Sequence, residues 1–203
     1  MTEGGYDDGY SSSKCFWGIQ PASFVARFLD REGAAPRRVL DLGCGEGKNA
    51  NAFALAGATV EAVDCSTLAI QNGKALFESD AIKWHIGDAA RWPLPIDRYD
   101  VIVSYGLFHC LDTSETVAAL IRRAKMATRP GGHHIICAFN DRSQDLVAHP
   151  GFEPLLLPHH WFLAQYGDWV LEQVSDSDLH ETHPHNLIPH HHSLTRMIAR
   201  KNV

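Results

Sequence analysis

The rest of the chain is organised around the segment Val39-Leu40-Asp41-Leu42-Gly43-Cys44-Gly45-Glu46-Gly47-Lys48-Asn49. A short apolar run ends in an acidic residue, glycines follow at alternate positions, and a helix-forming segment begins after them. A parallel strand meets a ligand in this way at the carboxyl edge of a sheet, where the next helix also points its unpaired N–H groups. Glycine lets the backbone approach such a ligand closely because it has no Cβ. The stretch therefore predicts a ligand-binding turn between a strand and a helix.

Two classes of ligand fit this turn. Dinucleotides are bound by a G-x-G-x-x-G/A pattern, and Gly45, Gly47 and Ala50 can be read in that way. S-adenosylmethionine carries an ammonium group and no phosphate, which favours an acid just before the glycines, and Asp41 stands there. The turn by itself leaves both classes open.

Composition limits the remaining possibilities. A chain of 203 residues with 45% apolar and 21% charged residues suits one globular domain, residues 1–203. A net charge of −6 argues against a nucleic-acid-binding surface. Five cysteines without a C-x-x-C pattern do not form a disulfide framework, so a cytoplasmic location is predicted. The N-terminus lacks the apolar core of a signal peptide, and no apolar run approaches the ~20 residues of a membrane span.

Strand and helix patterns alternate along most of the chain. The predicted strands are 39–42, 59–64, 81–86, 99–104 and 134–138, and the predicted helices are 22–31, 49–56, 66–78 (capped by Ser66) and 114–126 (capped by Ser114). This alternation predicts an α/β fold with a doubly wound, Rossmann-like sheet. Strands 169–179 and 193–200 have no helix between them and must be antiparallel, giving seven strands in a mostly parallel sheet. Residues 140–167 are predicted to form an irregular insertion with at most one helix.

The order of the motifs resembles that of class I S-adenosylmethionine-dependent methyltransferases. The resemblance is carried by residues 41–47, Asp64, Gly87-Asp88-Ala89, residues 104–109 and Arg129-Pro130-Gly131-Gly132. The arm with Phe16-Trp17-Gly18 and Pro21 is similar to the small methyltransferases grouped with tellurite-resistance enzymes. The motifs match over roughly residues 14–139. In the remaining C-terminal residues, only the predicted topology resembles that of the family.

The resemblance implies a cofactor, S-adenosylmethionine, and a role for each motif. Asp41 would anchor the glycine turn or meet the amino group of the cofactor, or would only cap the turn. Asp64 would accept the ribose hydroxyls, and Asp88 would meet the adenine amino group or serve as a turn residue. The implied cofactor-binding set is Trp17, Asp41, Gly43, Cys44, Gly45, Asp64, Cys65, Asp88, Ala89 and Ser104.

Residues 1–35 are interpreted as a mobile N-terminal arm followed by a lid helix. Tyr10 and Trp17 are candidates to close over the site and exclude water, although Trp17 could instead pack the first helix onto the sheet. His109 follows the fourth strand and is a candidate base or substrate-orienting group. The predicted catalytic residues are Tyr10, His109, His183 and His185.

Histidines crowd the segment 180–193, His180-Glu181-Thr182-His183-Pro184-His185-Asn186-Leu187-Ile188-Pro189-His190-His191-His192-Ser193. A turn at 186–189 would pair His185 with His190 and His183 with His192, which puts four imidazoles on one face of the hairpin. These four are candidate ligands for a divalent transition metal. They could also be acid–base groups that deprotonate a substrate, or a solvated histidine-rich loop.

The sequence therefore predicts a methyltransferase that acts by in-line displacement on a small-molecule nucleophile, such as a thiol, a chalcogen oxyanion or an amine. No nucleic-acid or membrane partner is expected, and the oligomeric state stays open. One alternative is an NAD(P)-dependent oxidoreductase that uses Gly45, Gly47, Ala50 and Asp64. Another is a metal-binding module built on the histidine-rich hairpin.

Overall fold

The computed structural model of the protein describes residues 6–33 and 35–203. Seven β-strands in this part of the chain form one sheet. They are β1 (Arg38–Leu42), β2 (Thr59–Asp64), β3 (Ile82–Ile86), β4 (Tyr99–Tyr105), β5 (Thr128–Gln144), β6 (Val170–Glu181) and β7 (His190–Arg200). The helices are α1 (Asp7–Ser12), α2 (Ser23–Glu32), α3 (Lys48–Leu55), α4 (Thr67–Leu76), α5 (Ser114–Ala127) and α6 (His159–Ala164), with a short 3₁₀ turn at Phe108–Cys110.

The strand order is β3-β2-β1-β4-β5-β7-β6. Strands β1 to β5 pair in parallel, and β7 lies antiparallel between β5 and β6. The predicted fold class, a mostly parallel doubly wound sheet that ends in an antiparallel hairpin, is thus confirmed. Because β6 runs in the same direction as β5, the β6–β7 turn lies at the carboxyl edge of the sheet, together with the turn that follows β1.

Two apolar layers cover the sheet, and alternating residues of the central strands belong to different layers. Val39 packs with residues of α2, α3 and α4 on one face, whereas Leu40 packs with residues of α5 and α6 on the other. Val101 and Ile102 of β4 divide in the same way. Burial on both faces explains why these strands read as continuous apolar runs.

Three local features differ from the expectations. Thr113, not Ser114, caps α5. Thr113 has an extended backbone, and its side chain accepts the Thr116 N–H. Strand β5 continues to Gln144, since β7 offers it a partner beyond Phe139 after an irregularity in the register. Residues 7–12 of the arm form α1, and Tyr10 is buried.

In residues 6–33 and 35–203, no helix is both long and apolar enough to cross a lipid bilayer.

Candidate active site and histidine cluster

The turn after β1 is shaped by its glycines. Gly45 and Gly47 adopt left-handed backbone angles, with φ of 53° and 82°. A Cβ on Gly47 would lie 2.2 Å from the Trp84 ring, so a side chain there is excluded by space as well as by conformation. The Gly43 and Cys44 N–H groups both donate to the Val63 carbonyl of β2. The turn is therefore fixed against the end of the neighbouring strand.

Asp64 ends β2 and faces this turn. Its carboxylate accepts the Gly45 N–H at 2.7 Å and the Ser66 N–H at 2.9 Å. Burial raises the pKa of Asp64, and these two hydrogen bonds oppose the rise. A carboxylate has about four acceptor positions, so acceptor capacity remains for a ligand beside the turn.

Asp41 lies beneath the turn rather than beside the cavity. It is 1% exposed, and among the described residues neither carboxylate oxygen has a hydrogen-bond partner. Burial raises the pKa of Asp41 to about 7. The Ala50 backbone N–H, which does not meet hydrogen-bond geometry with the carboxylate, partly offsets this rise through its dipole, and the Asp64 charge reinforces it. Above that pH the fold holds a buried charge without a partner, which is unfavourable.

This burial makes a testable contribution to the pH dependence of stability. The folded state of the protein binds the Asp41 proton up to about pH 7, whereas the unfolded chain releases it near pH 4, so the Asp41 contribution falls as pH rises between these values. Asp41→Asn removes that loss. We expect the free energy of unfolding of the variant, relative to wild type, to rise by about 2–3 kcal/mol between about pH 5 and pH 8. Urea denaturation at the two pH values measures the difference, and an unchanged difference contradicts the argument.

The N-terminal arm covers the glycine turn. The Trp17 indole N–H donates to the Tyr10 hydroxyl at 3.1 Å, and that hydroxyl would lie 3.0 Å from a Cβ on Gly45. Glu46 holds the arm in place, because its carboxylate accepts the Phe16 N–H at 2.6 Å. Glu46 was not predicted as a functional residue. The glycines on either side of Glu46 identify the turn in the sequence. The Phe16 N–H, which its carboxylate accepts, is 30 residues away along the chain, so no local pattern reveals that contact.

One cavity of about 430 Å³ runs from the glycine turn to the β6–β7 hairpin. Seven of the predicted cofactor-binding residues line it: Trp17, Gly43, Cys44, Gly45, Asp64, Cys65 and Ala89. Asp41, Asp88 and Ser104 are not among its lining residues, and Asp88 instead accepts the Ala90 N–H in a turn. The far end is lined by His109, His149, Glu181 and Arg196, of which only His109 was predicted.

His109 is placed to donate a hydrogen bond rather than to take a proton. Its Nδ1 accepts the Phe139 backbone N–H at 3.2 Å, so the neutral ring carries its proton on Nε2. Burial lowers the pKa of His109 to about 3, with a smaller effect of the nearby His192 and His149. A neutral donor of this kind can orient a substrate atom, but it is a weak base at neutral pH.

The predicted pairing of the hairpin histidines is wrong. In the β6–β7 ladder His190 pairs with Glu181, and His192 pairs with Leu179. His183 and His185 fall in the turn that joins the strands, because this turn spans 182–189 instead of four residues. Pro184 and Pro189 lack the N–H group that a longer ladder would need.

The histidines that meet include one from outside the hairpin. His149, in the insertion, has its Nε2 at 3.2 Å from Nε2 of His183 and at 3.3 Å from Nε2 of both His190 and His192. His185, one of the four predicted metal ligands, lies outside this group. It is exposed and packs against the Phe16 ring. We call His149, His183, His190 and His192 the histidine cluster.

Burial keeps His149, His183 and His192 neutral near pH 7. It lowers the pKa of His149 and of His183 to about 4 and that of His192 to about 3, with further lowering from the neighbouring imidazoles. Neutral imidazoles keep a nitrogen lone pair and are the form that binds metals. The sequence missed His149 because the nearest other member of the cluster is 34 residues away.

A family model described as "Methyltransferase domain" matches residues 39–132. The probable S-adenosyl-L-methionine-dependent methyltransferase TehB of Haemophilus influenzae is 30% identical over 158 residues, which are 73% of this chain and 52% of that protein. The demethylmenaquinone methyltransferase of Renibacterium salmoninarum is 30% identical over 128 residues, 62% of this chain and 48% of that protein. This chain thus spans about half the length of these curated relatives.

A solved structure agrees with both comparisons. The crystal structure of TehB from Haemophilus influenzae superimposes with a TM-score of 0.72 at 26% identity. The superposition covers 89% of this chain and 62% of that one. The similarity therefore extends beyond the strand and glycine turn to most of the sheet.

Proposed function

We infer that this chain, which carries a methyltransferase domain and has the fold of S-adenosylmethionine-dependent methyltransferases, transfers a methyl group from S-adenosylmethionine to a small-molecule nucleophile. The observation that carries this proposal is the continuous cavity that joins the glycine turn and Asp64 to the polar end with His109 and Arg196. A donor held at the first end and an acceptor at the second would share a space closed by the arm. The volume is typical of small-molecule sites.

The residues divide into two groups in this proposal. At the donor end, Asp64 accepts the ribose hydroxyls, and the glycine turn leaves room for the rest of the cofactor. Tyr10 and Trp17 cover the site and exclude water. Methyl transfer is an in-line displacement, so the main task of the protein is to align donor and acceptor.

At the acceptor end, His109 orients the nucleophile through its Nε2–H. Lys48 and Arg196 are cations that line the same cavity, which favours an acceptor with anionic character, such as a thiol or a chalcogen oxyanion, over an amine. His183 and His185, which were predicted as catalytic, do not line the cavity and are given no step in the reaction. The cofactor is S-adenosylmethionine, and the histidine cluster suits a divalent transition metal as a second group.

All five cysteines are unpaired, which suits a reducing compartment such as the cytoplasm. The proposed partner is a small-molecule substrate. The negative net charge gives no support to a nucleic-acid substrate.

Calorimetric titration of S-adenosylhomocysteine into the metal-free protein tests the proposal, with NADH titrated in parallel. We expect one molecule of S-adenosylhomocysteine to bind per chain and NADH not to bind. NADH binding with no S-adenosylhomocysteine binding would reject the proposal and favour the oxidoreductase alternative. With the cofactor established, a labelled methyl donor and panels of thiols, chalcogen oxyanions and amines would identify the acceptor.

A further inference from the structure

We propose that the histidine cluster binds one divalent transition metal ion of the Zn²⁺ type, with His149, His190 and His192 as its core ligands and His183 completing the set, and that this ion fastens the insertion to the hairpin. His149 comes from the segment after β5, His183 from the hairpin turn, and His190 and His192 from β7. This ligand set differs from the predicted one, which contained His185 in place of His149. The site does not depend on methyl transfer.

Three separations, all measured from His149, match those between ligands of one tetrahedral ion, and the possible ligand atoms of His149, His190 and His192 all lie within 4.8 Å of one another. Zn–N bonds of about 2.0–2.1 Å in tetrahedral geometry put ligand nitrogens about 3.3–3.4 Å apart. Nε2 of His149 lies 3.2, 3.3 and 3.3 Å from Nε2 of His183, His190 and His192. Hydrogen bonds do not explain three such contacts, because one imidazole nitrogen carries either one proton or one lone pair. A shared cation accounts for all three.

The outer partners fix two of the rings with their lone pairs toward the centre. The His190 Nδ1 lies 2.8 Å from the Ile188 carbonyl, which can only accept, so the proton is on Nδ1 and Nε2 is free. The His192 Nδ1 lies 2.9 Å from Oε1 of Gln144. The Gln144 amide nitrogen donates to the Asn140 and Ser193 carbonyls, which fixes the orientation of that amide. Hydrogen bonding of this kind sets the tautomer of metal-binding histidines.

Burial and charge agree with a cation at this point. His183, His190 and His192 are buried, so water is a poor alternative partner for their lone pairs. Glu181 Oε1 is 3.9 Å from Nε2 of both His190 and His192, close enough to compensate part of a positive charge. Imidazole suits Zn²⁺, Cu²⁺, Ni²⁺ and Fe²⁺, and a fourth ligand from His183 would close the site, as is typical of structural metal sites.

The position of the site gives the ion a structural task. His149 lines the cavity, and the His183 ring lies 5.3 Å from that of Trp17 in the arm, between ring centroids. An ion held by His149 and the hairpin would therefore keep the far end of the cavity closed. Its removal should release the insertion and the hairpin turn together.

Titration of the chelator-treated full chain with Co²⁺, a spectroscopic substitute for Zn²⁺, tests the site directly. We expect one Co²⁺ per chain with the intense visible absorption of tetrahedral coordination, and displacement of that absorption by Zn²⁺. His149→Ala should weaken binding by at least about 100-fold, since even residues outside the ligand set cost 10- to 100-fold. His180→Ala is the matched control, because His180 is an exposed histidine of β6 that is outside the cluster.

Hydrogen exchange gives a second readout that does not require the variant. Adding Zn²⁺ should slow amide exchange in 145–150 and 183–190 of the wild-type chain and leave exchange in β1 and β2 unchanged. The proposal is overturned by folded wild-type protein that binds no stoichiometric Co²⁺, or by binding that His149→Ala and His180→Ala weaken equally. Binding of S-adenosylhomocysteine in the same samples reports on the proposed methyl transfer separately, because its contacts lie at the other end of the cavity.

Discussion

The Asp64→Ala variant is expected to bind S-adenosylhomocysteine at least about 100-fold more weakly than the wild-type protein. In the proposed complex this carboxylate accepts both ribose hydroxyls, and hydrogen bonds to a charged group contribute about 1.5–3 kcal/mol each. Two such bonds correspond to a factor of about 100 or more in the dissociation constant. The variant also loses the bond from the Gly45 N–H, which holds the glycine turn against β2. Calorimetric titration measures the change.

Asp100→Ala is the matched control for this experiment. Asp100 is also a strand aspartate whose carboxylate accepts a backbone N–H from a neighbouring strand, that of Arg38 at 2.7 Å. It lies at the opposite edge of the sheet, near the start of β4. We expect Asp100→Ala to lower stability and to leave cofactor affinity within about twofold of wild type. Equal affinity of Asp64→Ala and the wild type would remove Asp64 from the cofactor site.

The Glu46→Ala variant should release the N-terminal arm. Its carboxylate accepts the N–H groups of Phe16 and Trp17 and the side-chain amide of Asn72. Removing it leaves the buried Phe16 N–H without its acceptor, at a cost of about 1–3 kcal/mol. Trypsin should then cleave after Lys14 faster than in the wild type. Affinity for S-adenosylhomocysteine should fall by about 10-fold, because the aromatic cover over the site is loosened.

Two further variants distinguish release of the arm by loss of the Glu46 carboxylate from a general loss of stability. Glu46→Gln keeps one acceptor oxygen for the Phe16 N–H and should give an intermediate cleavage rate. Glu78→Ala removes an exposed glutamate just after α4 and should leave the rate unchanged. Cleavage after Lys14 at the wild-type rate in Glu46→Ala would show that the arm is held by its aromatic contacts alone.

The Asp64→Ala and Glu46→Ala variants test different parts of the cavity. Asp64 lies at the end of a strand, where a sequence pattern can identify it. Glu46 instead binds the N-terminal arm, and the pattern around the glycine turn does not reveal that contact. The predicted cofactor residues that line the cavity come from three such strand ends and from the arm. Asp41 shows the limit of the pattern: the acid before the glycines is present, but it lies beneath the turn.

The sheet, the glycine turn and the family resemblance could all be predicted from the amino-acid sequence. These depend on local patterns, namely apolar runs buried on both faces, alternation of strand and helix, and glycines where the chain needs left-handed angles. Only the folded structure shows that Glu46 binds the Phe16 N–H and that His149 belongs to the histidine cluster. Contacts of this kind join residues 30 to 43 positions apart, and no local pattern encodes which side chains meet. The hairpin register depended on the true length of its turn, and a change of turn length moves every side chain of the ladder to a new partner.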